Sequence, residues 1–170
     1  WDEFTARPGA VNQAGLDFYS RLSDELLKAG IEGFATLYHW DLPAALQHQG
    51  GWANRDTVDA YVRYAEAVTK TLGDRVRFRS THNEPWVVSF VGHLFGEHAP
   101  GIQDLSTALQ TAHHILLSHG MAVPVIRTNA RADAQVGIVH NLEWVEPATN
   151  AKPGGPEHRE EDVAAAGLVL

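Results

Sequence analysis

Three short apolar runs, each separated from the next by an amphipathic helix, decide most of what this chain can fold into. The runs are 31–38, 76–81 and 136–139. Leu16, Tyr19, Leu22 and Leu26 recur at helical spacing from about Ala14 to Ala29, and Val58, Tyr61, Val62, Ala65, Val68 and Leu72 from about Asp56 to Leu72. A third helical stretch runs from about Leu105 to Arg127, with Leu109, Ala112, Ile115 and Leu116 as its repeats. Asn12 is placed to cap the first helix and Gly30 to stop it. Pro124 predicts a kink or an end near Val123, since proline lacks the helical N–H. Strands separated by whole helices pair in parallel, and apolar runs without alternation are buried on both faces. The pattern predicts an α/β protein, either a Rossmann-like sheet or a (β/α)8 barrel. No G-x-G-x-x-G turn and no G-K-[ST] loop follows a strand, so the nucleotide-binding version loses support.

Composition narrows the function. Apolar residues make up 44% of the 170, enough for a real core. The net charge is −8, with no basic block, which argues against a nucleic-acid partner. There is no cysteine, which removes disulfides, thiolate catalysis and Cys-ligated metals. Polar residues interrupt every apolar stretch well short of the roughly 18 residues of a membrane span. No signal-like segment opens the sequence, and a cytoplasmic location is expected, although the absence of disulfides is equally compatible with secretion. Residues 147–162 read as loop, and Glu160 to Leu170 as the beginning of a helix.

Polar and aromatic residues gather at the carboxyl ends of the three strands. Tyr38-His39-Trp40-Asp41 ends the first, His82-Asn83-Glu84-Pro85-Trp86 the second and His140-Asn141 the third. In parallel α/β folds that edge is where ligands bind. Glu84 is the leading candidate for chemistry. A carboxyl held among Trp and His loses water, which favours its protonated, proton-donating form. The plainer alternative is a carboxylate that caps a neighbour or pairs with an arginine. Asn83 offers a donor and an acceptor suited to a sugar hydroxyl, or closes a turn. His39 can donate to a hydroxyl, or serve as a structural histidine. Trp40 and Trp86 present flat faces on which sugar rings stack, and which serve equally well as core. Trp52, after Gly50-Gly51, reads as a packing anchor.

The histidines and serines raise two other chemistries. His39, His82 and His140 come one from each strand end, and their convergence would suit a metal-dependent hydrolase. His113, His114 and His119 lack same-face spacing, and no H-E-x-x-H occurs. No G-x-S-x-G elbow supports a serine nucleophile.

The same residues carry a resemblance. Thr36-Leu37-Tyr38-His39-Trp40-Asp41-Leu42-Pro43, Gly50-Gly51-Trp52-Ala53-Asn54-Arg55 and Thr81-His82-Asn83-Glu84-Pro85-Trp86 closely resemble blocks of glycoside hydrolase family 1, the β-glucosidases. Asn12-Gln13-Ala14-Gly15-Leu16-Asp17-Phe18-Tyr19, Leu72-Gly73-Asp74-Arg75-Val76 and Glu97-His98-Ala99-Pro100-Gly101 fit the same pattern. The resemblance implies part of a (β/α)8 barrel, covering roughly strands three to five, from an enzyme that hydrolyses β-linked glucosides with retention. It implies Glu84 as general acid/base, Asn83 on the sugar 2-hydroxyl, and His39 with Trp40 beside the same sugar. It implies no metal or organic cofactor.

The departures from the family pattern set further expectations. The T-E-N-G type motif that carries the nucleophile has no counterpart among the other glutamates. The first and second strands are absent. Residues 1–11 resemble the loop after strand one, and Asn12 onward the segment after strand two, so a deletion or omitted chain is expected at Val11/Asn12. The whole of 1–170 is then one incomplete barrel domain. Alone it is expected to be inactive; the alternative reading is a non-catalytic barrel fragment that self-associates through its open sheet edges, with at most weak sugar binding. His82 stands where the family usually has an apolar residue, and is placed to alter the titration of Glu84. Phe78 stands where tryptophan is usual.

Overall fold

The computed structural model describes residues 11–142. In chain order the elements are α1 (Gln13–Lys28), β1 (Phe34–Tyr38), α2 (Ala44–Gln47), a 3-10 helix (Gly51–Ala53), α3 (Asp56–Leu72), β2 (Phe78–Asn83), a π-helix (Val87–Phe95), α4 (Leu105–Asn129) and β3 (Gln135–Val139). The strands form one parallel sheet in the order β1-β2-β3. Of the described residues, 11–140 belong to one compact unit. The expected loop at 147–162, the helix at 160–170 and the loop segment at 1–10 lie outside the described residues.

Local chemistry sets the boundaries. The Asn12 side chain accepts from the N–H groups of Ala14 and Gly15 and caps α1. Gly30, at φ +71°, reverses the chain after α1, a conformation costly for a residue with a Cβ. Asp56 and Asp59 sit in the first turn of α3, where the helix dipole favours negative charge. Asp104 caps α4 by accepting from the Thr107 N–H and hydroxyl, both at 2.7 Å, and these bonds hold its carboxyl below the usual range.

The core lies between the sheet and α3 and α4. Val58, Tyr61, Ala65, Val68 and Leu72 of α3 are buried, as their spacing predicts. On α4 the structure corrects the expectation. Leu109 and Leu116 are about half exposed, and the buried stripe is Ala108, Thr111, Ile115, Ser118, Ala122 and Ile126. Small and hydroxyl-bearing residues let α4 lie close to its neighbours, and with His114 also buried its inner face mixes polar and apolar side chains. On α1, Leu16 is buried but Leu22 is exposed. Pro124 does not end α4, which continues to Asn129. Ala122 and Ile126 on either side of it are fully buried, and their packing outweighs the missing hydrogen bond. Gly120, four residues earlier, has open space at its Cβ position.

Candidate active site

The sheet brings the expected strand-end residues to one edge. Register pairs Tyr38 with His82 and Asn83 with Val139, with an irregularity on the β2–β3 side between Ser80 and Asn83. Such a bulge re-aims the residues that follow it. Glu84 comes next, half-buried, with φ +48°. Its N–H donates to the Val139 carbonyl at 2.9 Å, and its own carbonyl accepts from the Val88 N–H at 3.3 Å. Pro85 is already helical and needs no donor in a first turn.

Trp40, just past β1, is the other described non-glycine residue with positive φ, at +78°. Each such residue costs about 1–2 kcal/mol of backbone energy. Both stand at strand ends, and they are tied together: the Trp40 indole Nε1–H donates to the Asn83 carbonyl at 3.0 Å. The indole is 40% exposed, so it keeps surface for a ligand. His39 is exposed beside it, and its N–H donates to the Asp41 carboxylate at 3.1 Å. Asn83 is half-buried at the end of β2. Glu84, Asn83, Trp40 and His39 thus stand at adjoining strand ends, with the His39 and Trp40 ring centroids 5.5 Å apart. Trp86, half-buried, stacks on Phe90 at 5.8 Å and meets Phe95 at 6.2 Å. Trp52 is 1% exposed and anchors its turn, with its carbonyl accepting from His114 Nδ1.

His82 is where the structure departs most from the sequence reading. Its ring is fully buried, stacked on Tyr61 at 4.4 Å, with Tyr38 and Trp52 edges at 5.6 and 5.4 Å. The Ser118 hydroxyl donates to the Ile115 carbonyl, so His82 Nε2–H donates to Ser118 Oγ at 2.8 Å. Burial, and secondarily the nearby His119, pushes its pKa down to about 3. At neutral pH the ring is uncharged, so it cannot act on Glu84 through charge. Enclosure in the core also removes it from the proposed His39–His82–His140 grouping. Among the described residues, no three His, Asp or Glu side chains gather in an arrangement that could hold a metal ion.

Two features had no part in the sequence reading. The π-helix begins three residues after Glu84; π geometry is rare and, where it occurs, is frequently found at functional sites. His93 Nδ1–H donates to the Val88 carbonyl five residues back, closing the wide turn. A Cβ at Gly92 would meet the Ala99 carbonyl at 2.8 Å, so only glycine lets that loop approach. The loop brings His98 against Trp40, with ring centroids 5.3 Å apart. A cavity of about 280 Å³ opens there, lined by Tyr38, Trp40, Val87, Val88, His98 and Ala99. The only sequence signal was the block Glu97-His98-Ala99-Pro100-Gly101, which assigns His98 no role.

Residues 5–166 match the profile of Glycosyl hydrolase family 1. The chain belongs to this family. The matched stretch runs through Val11/Asn12. Among curated relatives, family members include β-glucosidase A of Acetivibrio thermocellus, 50% identical over 165 residues, which are 97% of this chain and 35% of that protein. A 1,4-β-D-glucan glucohydrolase of Thermotoga neapolitana is 48% identical over 158 residues, 93% of this chain and 35% of that protein. Among solved structures, the AHE enzyme of Alicyclobacillus herbarius superposes with a TM-score of 0.88 at 47% identity, over 98% of this chain and 36% of that one. The Thermotoga maritima β-glucosidase in complex with deoxynojirimycin gives 0.83 at 46%, over 98% and 35%. The fold is thus part of a (β/α)8 barrel, and the chain spans about a third of the length of its family 1 relatives.

Proposed function

We propose that this chain is the part of a retaining β-glucosidase that supplies the acid/base, Glu84, and one wall of the sugar site. The observation that carries the reading is the left-handed Glu84 at the sheet's carboxyl edge, with Asn83 and Trp40 hydrogen-bonded beside it. In the first step the Glu84 carboxyl gives its proton to the glycosidic oxygen as the C1–O bond breaks and its electron pair moves to that oxygen. A second carboxylate, about 5 Å away, forms a bond to C1. In the second step Glu84 takes a proton from water, whose oxygen attacks C1 and frees that carboxylate. Asn83 binds the sugar 2-hydroxyl, a contact that strengthens as the ring flattens toward the transition state. His39 and Trp40 hold the same sugar.

The nucleophile belongs to the remaining two thirds of the barrel, so the 170-residue chain alone is inactive. Cellobiose and aryl or alkyl β-glucosides are the proposed substrates, which places the enzyme in cellulose breakdown. The names of the β-glucosidase and glucan glucohydrolase relatives support this. The test compares this chain with the full-length protein on an aryl β-glucoside. Turnover only by the full-length protein, and its loss in Glu84→Gln on an alkyl glucoside, is expected. Turnover by the short chain, or an undisturbed Glu84→Gln, contradicts the reading.

A further inference from the structure

The peptide unit between Asn83 and Glu84 is held on both sides. Its carbonyl accepts from the Trp40 indole N–H at 3.0 Å, and its N–H donates to the Val139 carbonyl at 2.9 Å. Trp40 follows β1 and Val139 ends β3, so the strands flanking β2 grip one peptide plane from opposite sides. The orientation of that plane sets φ of Glu84, which is +48°. A side-chain-bearing residue left to itself relaxes out of this region. Trp40 is held at φ +78°, and this turn carries its indole across to β2. The β2–β3 register shift ends at Asn83, where the Val139 contact takes over. On the far side of Glu84, its carbonyl accepts from Val88 and fixes the start of the helix.

We propose that Trp40 is a positioning residue for Glu84: its indole N–H, opposed by the Val139 carbonyl, locks the Asn83–Glu84 peptide in the left-handed arrangement that directs the Glu84 carboxyl at the leaving oxygen. This goes beyond the sugar-facing surface of the indole and rests on the reading of Glu84 as acid/base. Trp40→Phe keeps an aromatic face and removes the N–H. Benzothienylalanine at position 40 replaces N–H by sulfur with little change of shape.

The test reads kcat/KM of the full-length protein on two substrates. A 2,4-dinitrophenyl β-glucoside leaves without protonation, whereas methyl β-glucoside needs a well-placed acid. Misplacing a catalytic group by an ångström costs up to about a hundredfold. Both Trp40 variants are therefore expected to lose about tenfold more on the methyl glucoside than on the dinitrophenyl glucoside, whatever common loss the sugar contact adds to both. Equal losses on the two substrates, as from weakened sugar binding, overturn the proposal, as does no loss on either. If Trp40→Phe melts early, the benzothienyl variant decides. Glu84→Gln serves as the reference: a large, leaving-group-dependent loss there with none in the Trp40 variants defeats the clamp alone. A Glu84→Gln loss independent of leaving group defeats the acid/base reading and the clamp with it.

Discussion

The His82 imidazole lies against the Tyr61 ring with centroids 4.4 Å apart and planes 28° from parallel, sealed from solvent one residue before Asn83. This contact makes stability depend on pH. The folded ring has a pKa of about 3, below its unfolded value of about 6.5, so only the unfolded chain takes up this proton as pH falls between the two. The contribution of His82 is intact above pH ~6.5 and declines by up to about 1.4 kcal/mol per pH unit below it. His119 is shifted in the same direction by its own burial first and by His140 second, and adds to the effect. Urea midpoints at pH 7.5, 6.5 and 5.5 are expected to fall steeply below 6.5, and less steeply in His82→Leu. Equal slopes would contradict the account.

A second prediction concerns the outer faces of the flanking helices. Phe18, Leu22 and Leu27 on α1, and Leu105, Leu109 and Leu116 on α4, are each exposed by more than two fifths. Such side chains favour association where they adjoin one another, and β1 and β3, at the two edges of the described sheet, add unpaired backbone groups. The isolated 170-residue chain is expected to elute from a sizing column above its monomer mass and to bind a hydrophobic dye. Leu109→Lys with Leu116→Lys should shift it toward monomer. A monodisperse wild-type monomer would contradict the expected self-association.

Pro124 supplies a third. It is exposed in the interior of α4 and lacks the N–H that would bond Gly120. Proline in a helix interior is about 3 kcal/mol less favourable than alanine. Pro124→Ala should raise stability by about 1–3 kcal/mol, seen as a higher denaturant midpoint at unchanged slope. A lower midpoint would show that the proline ring contributes packing.

What could be read from sequence followed physical periodicity. The α3 stripe, the Asn12 cap and the three strands were legible because apolar spacing and capping chemistry are local. Glu84, Asn83, His39 and Trp40 were legible because they sit at strand ends in a parallel fold. The buried face of α4 was not, because Thr111, His114 and Ser118 lie in it, and the bonds of Ser118 to Ile115 and His82 and of His114 to Trp52 are contacts that hydropathy does not register. His82 was misread because its charge state depends on Tyr61, Trp52 and Ser118, which are distant in sequence. The Trp40–Asn83 bond spans 43 residues and depends on two positive φ angles that no local pattern encodes.

The central claim is that Glu84 is the acid/base, and the pH profile of kcat/KM on an unactivated β-glucoside tests it most directly. The full-length protein is expected to give a bell whose alkaline limb reports loss of the Glu84 proton. In Glu84→Gln that limb should vanish, with the rate lowered by about 10²–10⁴. An alkaline limb that persists unchanged in Glu84→Gln would assign the acid to another residue.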